Sequence, residues 1–337
     1  MIPHRFGRAA PWTLGIEEEV VLVDAEALEA TPGFSRILGE PTEELKPELF
    51  ECFVELATPV VSDADAALAE LVRLRRELTD RAAPFGIGIH AAGTHALARW
   101  QEQTLVPFER YRKLEAKLGD RIRRQLVCGL HVHVSVPDAQ TCLRAFETIV
   151  PWLPVLLALS ANSPFSEGQD TGLRSVRAER LLEMPTGGTP PVVGTWDDWA
   201  AATRGDHTRR HWDAWPRPEY GTLEVRVMDM QTDVRRSAGF AAVAQALVAG
   251  ADGATGEPYD RDLYDRRRRQ AALEPPEPDE VASLAALVEP VARRLGAWHL
   301  AESVLGGRPE AELQLAVAAD RGVEAVPRDV VARTLAF

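Results

Sequence analysis

Gly15-Ile16-Glu17-Glu18-Glu19-Val20-Val21-Leu22 is the stretch that decides how this chain is read. Glutamate is disfavoured in strands, and adjacent like charges repel, so three in a row inside an apolar run need a cause. Read with a two-residue period, Glu17 and Glu19 share one face, and Ile16, Glu18 and Val20 take the other. Two carboxylates on one face then sit within about 7 Å, the span of two strand residues, a spacing that a cation between them stabilises. Glu18 faces the apolar side and reads as structural.

Two further segments repeat the pattern. In Leu130-His131-Val132-His133-Val134-Ser135-Val136, both histidines and Ser135 share a face and the valines share the other. In Thr222-Leu223-Glu224-Val225-Arg226-Val227, Glu224 and Arg226 oppose Leu223, Val225 and Val227. Strands with one apolar and one polar face fit an antiparallel sheet packed on one side. Carboxylate, imidazole and guanidinium together are the groups that a metal–phosphate site requires. A fourth segment, Phe85 to His90, also alternates, and the strand carrying the glutamates extends over Thr13 to Val23.

Working outward, Pro47-Glu48-Leu49-Phe50-Glu51-Cys52-Phe53-Val54-Glu55 adds carboxylates. As a helix, Glu48, Glu51 and Glu55 share a face; as a strand, Glu51 and Glu55 still do. His131-x-His133 could bind zinc with a third ligand, but no cysteine cluster accompanies it. Oxygen-rich surroundings favour Mg²⁺, with Mn²⁺ tolerating imidazole better. No GxxxxGK[ST], GxGxxG or GxSxG motif occurs, so any ATP would be held by metals and arginines on a sheet.

Helical patterns fall at Asp63 to Arg81, with Ser62 and Asp63 as cap candidates, and at Tyr111 to Leu126 and Ser237 to Ala251. Ser163 to Gly194, rich in Pro, Gly and Thr, reads as a long functional loop. The basic run Arg266 to Arg269 and the proline-rich Glu274 to Pro278 read as a connector into a helical section over about 280–337. Strands without a helix after each one predict an α+β fold, a largely antiparallel sheet with packed helices. One domain over 1–337 is expected, with a sheet-bearing core at about 12–251.

The chain is 45% hydrophobic and 26% charged, ordinary for a globular protein, with a formal charge of −13. That charge argues against nucleic acid and against an anionic membrane surface. It suits a metal or a metal-borne nucleotide. Three cysteines without close pairing fit a reducing compartment. No secretory signal is visible, and the apolar stretch Ile149 to Ala161, broken by Pro151 and Pro154, is too short to span a bilayer. The expected location is the cytoplasm.

Gly15 to Glu19, ECFVELATP at Glu51 to Pro59, Gly93-Thr94-His95, HVHVSV, SPF followed by Asp170 to Gly172, and TLEVRVMD at Thr222 to Asp229 occur in one order. This ordered set resembles the type 2 glutamate–cysteine ligases, also called carboxylate–amine ligases, over about residues 12–251. The resemblance implies a glutamine-synthetase-like sheet forming the floor of an ATP and metal site. It implies Glu17, Glu19, Glu48, Glu51, Glu55, His131 and Glu224 as metal ligands. Arg226 and Arg177 would meet phosphate or a substrate carboxylate, and His133 would face the nucleotide. The implied reaction forms γ-glutamylcysteine through an acyl phosphate, with ATP and Mg²⁺ (or Mn²⁺) as cofactors. Its partners would be small molecules, an amino-acid carboxylate and an amine, with homo-oligomerisation left open.

Two stretches depart from the family pattern. An arginine is expected shortly after a Trp-Asp pair, whereas Trp212-Asp213 is followed by Ala214-Trp215, with Arg217 two residues later. Asp265-Arg266-Arg267-Arg268 and Ala271-Ala272 stand where Asn-Arg-Trp-Arg and a further Arg are usual. Two other readings remain. A metallohydrolase would turn over without ATP and prefer zinc, and a degenerate member would bind nucleotide without ligating.

Overall fold

The computed structural model describes residues 4–203, 211–251 and 259–336. Seven strands build the main sheet: β1 (Leu14–Asp24), β2 (Leu45–Pro47), β3 (Phe53–Ala57), β4 (Ile87–His90), β5 (Gly129–Ser135), β6 (Ala214–Arg217) and β7 (Thr222–Asp229). Their order is β6-β7-β5-β1-β3-β2, with β4 pairing the far half of β1. Every pairing is antiparallel. The fold is α+β with a largely antiparallel sheet, as the alternation predicted.

One face of this sheet packs on helices. Ile16, Val132, Val134, Leu223 and Val225 join a core with Leu71, Phe146, Ala238, Ala241 and Ala242. Leu71 lies on helix Ala64–Ala82, whose first turn is capped by Asp63, accepting from the Ala66 N–H. Glu18 points into this side, where its carboxylate receives Nε and Nη2 of Arg75 at 2.8 and 2.7 Å. Arg75 completes its fork on the carbonyls of Thr232 and Gln231. Both side chains are wholly buried, so each is the other's counter-charge away from water. The helices Pro278–Arg294 and Trp298–Leu305 pack on helix Val234–Gly250, and Leu284, Val288 and Val304 join the same core.

Several expectations need correction. Tyr111 to Leu126 is two helices, Glu109–Leu118 and Asp120–Arg123, parted at Gly119. Ser163 to Gly194 is not a plain loop. It holds the hairpin Phe165–Ser166/Gln169–Asp170, the helix Val176–Leu181 capped by Ser175, and a strand at Gly187–Gly188. The basic run lies inside helix Arg261–Leu273, and the C-terminal section starts with Pro278 in a first helical turn. Pro151 and Pro154 likewise sit in first turns and do not break the chain's helical course. The run Ala139–Ser160 is therefore long and apolar enough, by length and composition, to cross a membrane, yet 78% of its most apolar window is buried inside the protein. Cys52, Cys128 and Cys142 are buried and free.

Candidate functional site: a carboxylate–imidazole face between two clefts

The register fixes which side chains meet. Glu17 pairs with His131, Glu19 with Glu55, and Glu224 with His133. Directly opposed residues share a face, so β3, β1, β5 and β7 bring these six groups to the open side of the sheet. Glu17 lies between the histidines, 3.2 Å from His131 Nδ1 and 3.8 Å from His133 Nε2. His133 Nε2 is also 3.6 Å from Glu224. Glu17, His133 and Glu224 each offer a ligand atom within 4.8 Å of the others. The structure therefore places His133 at the centre of this triad, where the sequence reading had put it beside the nucleotide. His131 stands next to the triad and bonds Glu17.

A second acidic group continues along β1. Glu19 accepts the Gly129 N–H at 2.5 Å. Glu55 is held by Lys46 at 2.9 Å, its register partner on β2. Glu48 joins Glu19 and Glu55 in the wall of one cavity. Glu51 does not. It sits in the turn between β2 and β3 and accepts from the N–H and hydroxyl of Ser35, at 3.2 and 2.7 Å. The turn interrupts both periods considered for this segment, so the middle carboxylate leaves the face that its neighbours share.

The arginines arrive by a device that alternation does not show. Between Val225↔Val132 and Met228↔Leu130, β7 spends two residues, Arg226 and Val227, against His131 alone. This β-bulge leaves carbonyls out of the ladder, and Arg177 takes them, donating to Arg226 O at 2.9 Å and Val227 O at 3.3 Å. A Cβ at Gly129 would collide with that guanidinium and lie 2.8 Å from His131 Nε2. Any side chain there would displace the guanidinium from the bulge. Arg177 is brought in by buried Asp229, which receives Asn162 N–H, Ser163 Oγ and Ser175 Oγ at 2.9, 2.6 and 2.8 Å. Arg226 itself pairs with Glu224.

The two sequence departures find their places. Trp215 is buried against Phe146, Trp199 and Trp212, and Arg217, two residues on, reaches Glu224 at 2.8 Å. In the basic run, Arg268 is buried and grips Asp213 through Nε at 2.7 Å and Nη2 at 3.2 Å, with Tyr264 donating to the same carboxylate. It braces the bend at Asp213 just before β6. Lys46, His211 and Arg217 are site residues to which the sequence reading gave no role. Lys46 sits two positions before Glu48, a strand period that could have exposed it. Nothing local marked His211.

The electrostatics follow from burial. Burial works to raise Glu17, but the bond from His131 and the charge of His133 overcome it and hold this carboxyl at about 2. Glu224 is held far below the usual range because Arg226 and Arg217 outweigh its burial. Glu48 and Glu55 go the other way. Burial pushes both up, reinforced by Glu19 and Glu55 for the first and by Glu17 for the second. Burial pushes His133 down against the pull of its carboxylate neighbours, and pushes His211 down to about 3. Crowded carboxylates that resist ionising, beside an imidazole, are a donor set that fits a hard divalent cation.

Two clefts meet at Glu17. The outer one, about 860 Å³, is lined by Arg5, Lys46, Thr58, His133, Tyr220 and Thr222 among others. The inner one, about 210 Å³, sets Glu19, Glu48, Glu55, His131, Arg177, His211 and Arg226 against an apolar wall that includes Tyr111, Leu114 and Met184.

Residues 13–302 match the family model described as glutamate–cysteine ligase family 2. This chain belongs to that family. A Rubrobacter xylanophilus relative is 36% identical over 335 residues, 89% of this chain and 90% of that one. The glutamate–cysteine ligase of Natronomonas pharaonis is 34% identical over 340 residues, 93% of each chain. Two solved structures share the fold. A bifunctional glutathione synthetase from Pasteurella multocida superposes with a TM-score of 0.74 at 15% identity, covering 97% of this chain and 51% of that one. A glutamate–cysteine ligase from Francisella tularensis, solved in complex with AMP, gives 0.68 at 14% identity, covering 97% and 90%.

Proposed function

We propose that this protein is an ATP-dependent carboxylate–amine ligase of the cytoplasm, joining the γ-carboxylate of glutamate to the amine of cysteine. The observation that carries this reading is the meeting of two clefts at Glu17, which stands within metal-ligand reach of His133 and Glu224, with Arg217 and Arg226 both paired to Glu224. The outer cleft has the volume of a nucleotide site, and the inner one is compact enough for amino-acid groups. Family membership supports the ligase class.

A carboxylate does not react with an amine at neutral pH unless it is first activated, here by phosphoryl transfer from ATP. Glu17, His133 and Glu224, with Glu19, Glu48 and Glu55 along the same face, are the residues that would hold divalent metal. Bound Mg²⁺ supplies charge neutralisation of the phosphates. Arg226 and Arg217, locked onto Glu224, present fixed guanidiniums to the transferring phosphoryl group, whose charge is spread over its equatorial oxygens. Arg177, its fork set by the bulge carbonyls, faces the amino-acid side and orients the substrate carboxylate. The apolar wall of Tyr111, Leu114 and Met184 keeps water from an acyl phosphate while the amine attacks.

ADP release with Mg²⁺ and glutamate, screened across amines that include cysteine, tests the reading. Amine-dependent ADP release is expected, strongest with cysteine. Its absence with every amine would sink the ligase assignment, and turnover of a substrate in the absence of ATP would point to a hydrolase.

A further inference from the structure

The chain before β1 is more tightly placed than a terminal segment needs to be. Arg5 N–H donates to Pro218 O at 2.8 Å, Gly7 N–H to Val136 O at 3.0 Å, and Trp12 N–H to Ser135 O at 3.0 Å. Ser135 Oγ returns a bond to Ala10 O at 2.6 Å. The segment thus lies across the open ends of β5 and β7, at the mouth of the outer cleft. Two left-handed glycines permit this. A Cβ on Gly7 (φ 76°) would stand 2.5 Å from Pro137 O, and one on Gly221 (φ 75°) would stand 2.5 Å from Arg5 O. Phe6 is buried and its ring meets Trp196 at 5.4 Å, so the neighbouring Arg5 is left on the cleft side.

The cations of that cleft differ in one respect. Lys46 is paired with Glu55 at 2.9 Å and Arg81 with Glu77 at 2.7 Å. The Arg5 side chain is exposed and, among the described residues, its guanidinium has no carboxylate or hydrogen-bond partner. It stands in a cleft that also exposes Glu17, Glu43, Glu44 and Glu77, in a chain of net charge −13. A polyanion entering such a cleft needs compensation beyond the metal ligands. The family match begins at residue 13, so this segment lies outside the matched region.

We propose that residues 5–12 form the outer wall of the nucleotide site, and that Arg5 binds a phosphate of the nucleotide that is not transferred. The choice of anion rests on the ligase reading. The reacting phosphoryl group belongs at Glu17, where the clefts join, so the remaining phosphates extend toward the mouth. There an unpaired guanidinium offers two parallel donors to phosphate oxygens. The pinned backbone fixes its starting point, while the side chain keeps the freedom to follow the ligand.

Binding by the full chain decides this without turnover. Tryptophan fluorescence would follow titration of MgATP and of adenosine into wild type, Arg5→Ala and Arg5→Lys. Arg5→Ala should weaken MgATP by about tenfold, the loss of one charged hydrogen-bonded contact at a wet rim. It should leave adenosine unaffected, and Arg5→Lys should recover part of the loss. Unchanged MgATP affinity in Arg5→Ala overturns the proposal. So does an equal loss for adenosine, which would mean a contact to the base or a collapsed segment; an unaltered melting temperature separates the two. A wild type that binds MgATP but shows no amine-dependent ADP release removes the ligase reading and leaves the Arg5 result standing. A wild type that binds no MgATP overturns both.

Discussion

Glu17 and Glu18 are neighbours in one strand with opposite lives. Glu18 is wholly buried, locked by a bidentate arginine and two carbonyls behind it, and open to no ligand. Glu17 is partly exposed at the meeting of two clefts, held between imidazoles that leave it acidic and available. The same side chain is therefore structural on one face of the sheet and chemical on the other. What differs is whether the counter-charge comes from the fold itself or is left for a ligand to bring.

The strongest way to break this contrast is to swap the symptoms. Glu18→Gln leaves Arg75 buried without its anion and should cost about 3–5 kcal/mol of stability. Turnover per folded molecule should be preserved, as urea unfolding and an activity assay on the soluble fraction would report. A stable Glu18→Gln protein would mean that the pair is not the brace described. Glu17→Gln should do the reverse, lowering ADP formation by on the order of 10²–10³-fold with an unchanged or higher melting temperature. Glu224→Gln should match it. Near-normal activity in both would remove these carboxylates from the chemistry.

Next in size is a pH effect on β4, which pairs with the far half of β1. Burial pushes His95 down to about 4, and the neighbouring His90 falls as well, also through burial. The unfolded chain would take up a proton near 6.5 that the folded chain refuses until about 4. Stability is then full above 6.5 and falls as the pH drops toward 4, by about 3 kcal/mol for His95 alone. His95→Gln should flatten that limb of a thermal denaturation series, and an unaltered slope would count against it. Mg²⁺ added at about a hundred times its dissociation constant should stabilise the wild type by about 2.7 kcal/mol and Glu17→Gln by less. The smallest effect is expected for Glu51→Gln. Its contacts are to Ser35 on the surface, so about 1 kcal/mol or less should be lost and activity kept.

The contrast was largely legible beforehand, because alternation is a property of single strands. Glu17, Glu19, Glu224 and both histidines could be assigned to a face with no knowledge of their partners. Alternation could not say which histidine completes the triad, since that depends on how β7 registers against β5. Glu51 was misplaced because a turn broke the period inside its segment. The hold on Arg177 was out of reach for a different reason. It comes from two main-chain carbonyls freed by a bulge, and main-chain atoms leave no trace in residue identity. Arg268 was similarly hidden, since one buried cation in a run of four looks like its solvated neighbours.

The strand order carries a consequence for how the molecule comes into being. β1 lies between β3 and β5, and β5 lies between β1 and β7, so Glu17, His133 and Glu224 come from widely separated parts of the sequence. Such non-local pairings close large loops and form slowly relative to local helices. A chain still emerging from the ribosome can build helix Ala64–Ala82 and the β2–β3 hairpin, but it cannot assemble the triad until β7 has been made and seated. Divalent metal should then act on the finished protein and leave its folding rate unaltered, slowing only the unfolding step.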